Sequence, residues 1–101
     1  MVMASSQDYL QFILEQLSDL SEIYYRQMMW EYILYFHWKI IGGIYDNRLL
    51  LKPTEKVKDL IKNLEMQIPY PWAKTMIYVD NVDNSDYLKN IINATYEELY
   101  Q

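Results

Sequence analysis

Residues 32–52 read YILYFHWKIIGGIYDNRLLLK, and the fold turns on this stretch. Tyr, Ile and Leu cluster here in short runs, which is strand composition. Asp46-Asn47 separates two of the runs and suits a two-residue type I′ turn, because both residue types tolerate positive φ. His37-Trp38 stands where the preceding turn belongs, with poor turn chemistry. The pattern predicts strands over 32–36, 39–45 and 48–52, and another upstream over 23–29. Two-residue turns set Phe36 opposite Lys39 and Tyr45 opposite Arg48, and cross-strand partners share one side of a sheet. On that register Ile33, Tyr35, Ile40, Gly42, Ile44, Leu49 and Leu51 form one side, expected to pack under helices. The other side collects Trp30, Tyr32, Leu34, Phe36, Ile41, Gly43, Tyr45 and Leu50, among Lys39, Arg48 and Lys52.

A sheet side turned to water should be mostly polar. The second side is mostly apolar, and large exposed apolar patches mark interaction sites. The expectation is therefore a partner interface made of Trp30, Tyr32, Leu34, Phe36, Ile41, Tyr45 and Leu50, the simplest partner being a second copy. The alternative is that a helix or the Pro-rich segment folds over it as ordinary core. The same register sets Gly43 opposite Tyr32, where it gives the ring of Trp30 room.

The flanks supply the helices. Ser5 or Ser6 can cap a first helix, with Asp8 in its first turn and Leu10, Ile13, Leu14 and Leu17 on one face. Thr54 can cap a second with Val57, Leu60, Ile61 and Leu64 as its apolar face. Ile68-Pro69-Tyr70-Pro71-Trp72 should be extended, since residues before proline avoid helical geometry. A strand over 75–79 follows, then a helix capped by Ser85 with Leu88, Ile91, Ile92, Thr95 and Leu99 on one side. The expected fold is a single α+β domain over residues 1–101. It has one antiparallel sheet of about five strands in the order α-β-β-β-β-α-β-α, with helices packed on it.

The 101 residues carry a formal net charge of −5, with a hydrophobic fraction of 51%. That composition is globular, and the length is one domain's worth. Without cysteine there is no disulfide framework and no thiolate nucleophile or metal site. No apolar run approaches the roughly 18 residues of a membrane span, and no signal-peptide pattern opens the chain, so a cytoplasmic setting is expected. The charge is uneven, −4 over residues 1–22, +3 over 23–79 and −4 over 80–101.

No catalytic, metal or cofactor-binding set emerges. His37 is the lone histidine, in a predicted turn with no nucleophile motif near it. Asp80, Asp83 and Asp86 lack the glycine and terminal Glu of a calcium loop, and Glu97-Glu98 reads as a solvated end. Asn93-Ala94-Thr95 fits a glycosylation pattern by chance, on a predicted helix. Arg48, Lys52, Lys56, Lys58 and Lys62 are interleaved with acids in an acidic chain, so direct nucleic-acid binding is not favoured. Tyr70, Trp72 and Tyr78 could line an aromatic ligand pocket beside the prolines, or anchor that segment to the core.

Several ordered runs resemble the TfoX N-terminal domain family. They are Ser5-Ser6-Gln7-Asp8-Tyr9-Leu10, Phe12-Ile13-Leu14-Glu15-Gln16-Leu17, Arg26-Gln27-Met28, Asp46-Asn47-Arg48-Leu49, Leu51-Lys52-Pro53-Thr54 and Met76-Ile77-Tyr78. The resemblance spans roughly residues 5–100. Arg26 and Met28 match the family's Arg-x-Met-Phe-Gly-Gly, while Met29-Trp30-Glu31 replaces Phe-Gly-Gly and His37-Trp38 replaces an Asp-Gly turn. The resemblance implies a small α+β sandwich of sheet and helices. It also implies kinship with regulators of natural competence, whose longer members carry a second, helical domain. A non-enzymatic interaction domain is the expectation, with a small-ligand-binding domain as the alternative.

Overall fold

Helix α1 (Gln7–Gln16) begins where Ser6 stops it, its hydroxyl accepting from the Tyr9 amide at 3.1 Å. A computed structural model describes residues 6–101, so Ser5, the other candidate cap, lies outside the described residues. The three- and four-residue apolar steps bury Leu10, Ile13 and Leu17.

The chain then forms β1 (Ile23–Met28), β2 (Glu31–Phe36), β3 (Lys39–Tyr45) and β4 (Arg48–Leu51). Helix α2 (Glu55–Leu60), β5 (Met66–Gln67), β6 (Met76–Val79) and α3 (Ser85–Tyr100) follow. The sheet is antiparallel throughout, in the order β1-β2-β3-β4-β6-β5. The fold is α+β with one sheet and three helices, and the sheet has six strands rather than about five. The addition is β5, whose two residues are too few for any alternation to show in the sequence.

Three two-residue turns join the meander. Phe36 pairs with Lys39 and Tyr45 with Arg48, as the turn arithmetic requires. His37 and Trp38 both take positive φ, 50° and 64°, as do Asp46 and Asn47, 51° and 55°. Asp and Asn adopt this region readily. His37-Trp38 is instead held from outside: the His37 amide donates to the Glu22 carbonyl at 3.0 Å, and the imidazole pairs with the Glu22 carboxylate. The Trp38 ring stacks on Tyr24 with centroids 3.9 Å apart. In the first turn Met29 holds φ 55° while 77% exposed, so nothing offsets its strain. Met29→Gly is expected to stabilise the fold by about 1 kcal/mol. The check is a higher urea midpoint with an unchanged slope.

One irregularity decides which residues are core. Tyr35 pairs with Ile40, but Leu34 pairs with Gly42, leaving Ile41 as the extra residue of a β-bulge. Beyond it β2 and β3 run one residue out of the simple register. Tyr32 therefore lines up with Ile44, Leu49 and Val79, and Leu34 with Gly42, Leu51 and Ile77. A one-residue slip exchanges the two sides of a strand. Tyr32, Leu34, Phe36 and Ile41 consequently belong to the core, packed with Leu10, Ile13, Leu88, Ile91 and Ile92. The expectation of a partner face at these four positions is thereby corrected. Ile33, Tyr35 and Ile40 take the outer side in their place.

Gly43 pairs with Ile33, not Tyr32, and a Cβ on it would meet the Tyr32 carbonyl oxygen at 2.6 Å and the Tyr45 ring at 2.9 Å. The ring that needs this space is that of Tyr45, not Trp30.

The remaining helices are tied in by side chains. Thr54 caps α2, accepting from the Val57 amide at 3.3 Å. Glu98 is no solvated end: its carboxylate accepts from the Glu55 and Lys56 amides, each at 3.0 Å. Val57 and Ile61 are buried, whereas Leu60, the last residue of α2, and Leu64, beyond its end, stay exposed. Asn84, not Ser85, caps α3, accepting from the Tyr87 amide at 3.1 Å. The Ser85 hydroxyl donates to the Gln16 carbonyl at 2.6 Å and fastens α3 to the end of α1. Lys89 pairs with Asp19 at 2.9 Å, and that hydrogen bond is the main cause of its raised pKa. No helix among the described residues is long and apolar enough to cross a membrane.

Candidate functional site

With the helices on one side, the site lies on the other. Side-chain alternation turns Tyr24, Arg26 and Met28 of β1 outward, with Ile33 and Tyr35 of β2 and Ile40 of β3 beside them. Tyr24, Met28, Trp38 and Ile40 are all exposed, and Ile33 and Tyr35 are half-buried. Among the described residues this half of the outer side is left exposed, and it is apolar apart from Arg26. It is a patch of the expected kind, built from other residues. Of the expected set, Trp30 lies exposed in the first turn. Tyr45 and Leu50 do face outward by register, but both are buried.

Residues 68–75, which join β5 to β6, lie against this side as a strap, with Tyr70 beside the Tyr45 ring. Arg48 fastens it. Its Nε donates to the Tyr45 carbonyl at 3.0 Å, Nη1 to the Gln67 side chain at 2.7 Å and the Ile68 carbonyl at 3.2 Å, and Nη2 to the Pro69 carbonyl at 3.3 Å. Asp46 lies 3.5 Å from Nη2. A planar fork with several donors is what gathering oxygens from two segments, Tyr45 and residues 67–69, needs. In the sequence Arg48 opens a basic stretch with Lys52, Lys56, Lys58 and Lys62, which carries no sign of this role.

Between the strap and the ends of β3 and β4 runs a groove of about 670 Å³. Ile40, Tyr45, Pro53, Tyr70 and Met76 give it apolar walls, and Lys52 and Lys74 are its charged residues. Tyr70 tilts toward Tyr45, with centroids 6.3 Å apart. Of the three aromatics expected to form a ligand pocket, only Tyr70 lines this groove. Trp72 is fully exposed at φ 75°, and Tyr78 is half-buried beside Leu50.

The electrostatics are quiet. Burial, then Glu31 and Tyr70, pushes the Tyr45 hydroxyl up to about 12. Burial, then the Asp46 charge, raises Glu31. Lys52 donates to the Tyr100 hydroxyl at 3.2 Å, which in turn donates to the Ile40 carbonyl at 2.6 Å. Lys56 and Lys58 are paired with Glu97 and Glu55 at 3.3 and 3.6 Å. Among the described residues no group of three or more His, Asp or Glu could hold a metal ion. Thr95 of the glycosylation-like triplet is buried, its hydroxyl donating to the Ile91 carbonyl at 2.8 Å.

The sequence did hold a signal for the outward set. Glycine inside a strand suggests a bulge, and the bulge lies just before Gly42, with Ile41 as its extra residue, which leaves Ile33, Tyr35 and Ile40 outward.

No protein-family model matches the chain, and no solved structure matches it. Over 80 residues it is 36% identical to a Spirochaeta aurantia protein described as an uncharacterized 12.7 kDa protein in the trpE 5′ region. The match covers 79% of this chain and 70% of that protein. On that coverage, the chain belongs to the family of the Spirochaeta aurantia protein.

Proposed function

We propose that this chain is a non-enzymatic interaction domain, resembling the TfoX N-terminal domain, that pairs with a second copy of itself through the uncovered half of its outer sheet side. The resemblance ties this reading to regulation of natural competence in a cytoplasmic setting. The observation that carries it is the continuity of two features. The apolar patch of Tyr24, Trp38, Met28 and Ile40 borders β1, an edge strand with five of its six residues exposed. Exposed edges are ordinarily protected by proline, lysine or a bulge. β1 has none of these, and Arg26 is its single charge.

A symmetric dimer needs a self-complementary surface. Pairing β1 with itself about a two-fold axis at Tyr25 sets Tyr24 of one copy opposite Arg26 of the other. That arrangement gives each guanidinium a ring to stack on and keeps the two arginines apart. Sedimentation equilibrium across the micromolar range tests it. The expected result is a reversible dimer whose dissociation constant rises about thirtyfold in Tyr24→Glu, with an unchanged circular dichroism spectrum. A strictly monomeric wild-type chain at high micromolar concentration overturns it.

A further inference from the structure

We infer that the strap groove binds a small organic carboxylate with an apolar, aromatic body, its anionic end drawn to Lys52 and Lys74 and its ring seated against Tyr45 and Tyr70. The inference does not rest on self-association. Four observations carry it. The groove's volume, about 670 Å³, falls within the roughly 300–1,000 Å³ of small-molecule sites. Its walls are mostly apolar, and among the described residues its charges are all positive: Lys52 and Lys74 line it, and no carboxylate does. Glu31 and Asp46, the acids nearest Tyr45, are not among the lining residues.

Those two cations are also available. Neither has an ion-pair partner among the described residues. Lys52 uses one of its three donors on the Tyr100 hydroxyl and lies 5.9 Å from that ring's centroid, contacts that do not neutralise its charge. Finally, the groove is held open by the Arg48 bonds to Gln67, Ile68 and Pro69, so a ligand does not have to order its own site. A monoanion fits this chemistry better than a phosphate. The fork-shaped Arg48 is already committed to the strap, and the lysines that remain act as point charges.

The probes are naphthalene-2-carboxylate and its neutral analogue 2-naphthamide, titrated into the full chain by calorimetry and by amide NMR. The carboxylate is expected to shift the Ala73 and Thr75 amides and to bind about tenfold more tightly than the amide. Lys52→Met and Lys74→Met should each weaken carboxylate binding and leave naphthamide binding unchanged. Lys74 has no ion-pair partner to lose among the described residues, so its variant keeps the test valid if Lys52→Met disturbs Tyr100. Affinity should be the same in Tyr24→Glu, which separates this site from the dimer face. Equal binding of the two probes overturns the inference. So do shifts confined to the Tyr24 and Trp38 region, or no shifts at saturating probe.

Discussion

Leu34→Ala should cost about 3 kcal/mol of unfolding free energy, while the neighbouring Ile33→Ala should cost about 1 kcal/mol. The difference follows from the bulge. Leu34 is wholly buried beneath the helices, among Ile13, Ile91 and Ile92, whereas Ile33 lies half-buried on the outer side. Truncating Leu34 leaves a cavity that the surrounding side chains fill only in part, and truncating Ile33 opens onto water. Urea denaturation of both variants reads the contrast directly, as midpoint shifts at constant slope. The reverse ranking would mean that the simple hairpin register is right and the bulge is not. The same logic applies to Tyr32: a charge there should unfold the protein, since the ring is in the core rather than on a surface.

Gly42→Ala is the second large effect. Small residues in strands are usually replaceable, and alanine often stabilises by restricting the unfolded chain. Here a Cβ on Gly42 would overlap the Leu50 carbonyl oxygen and lie 2.8 Å from the Leu51 Cα, both backbone atoms of β4. No rotamer change relieves that, so β3 and β4 must part at the centre of the sheet. A loss of about 3 kcal/mol or more is expected, which lowers the thermal midpoint by roughly 15 °C. Gly43→Ala should cost less. One of its obstacles is the Tyr45 ring, which can swing aside, although the Tyr32 carbonyl oxygen cannot. Equal effects at the two positions would contradict the close approach at Gly42.

The architecture was readable where local chemistry and global fold agree. Thr54 caps α2, Asp46-Asn47 makes its turn, and the apolar steps of α1 and α3 face the sheet, each for a reason contained in a few neighbouring residues. What escaped depended on contacts distant in the chain. Glu98 caps a helix more than forty positions away, and Arg48 gathers carbonyls from the strap some twenty residues on. The candidate surface suffered most, because a single extra residue at Ile41 exchanges inside for outside along β2. The inference that the meander is apolar on both sides holds. The assignment of which side is which did not.

The three tryptophans have an optical consequence. Trp30 and Trp38 sit in hairpin turns and Trp72 on the strap, all at the surface. Apart from Trp38, whose ring stacks on Tyr24, the indoles of the native chain should already emit much as indole does in water, so melting the interior should change their colour little. Covering Trp38 with a second copy, by contrast, moves its emission to the blue. Tryptophan emission should therefore report the proposed docking better than it reports denaturation.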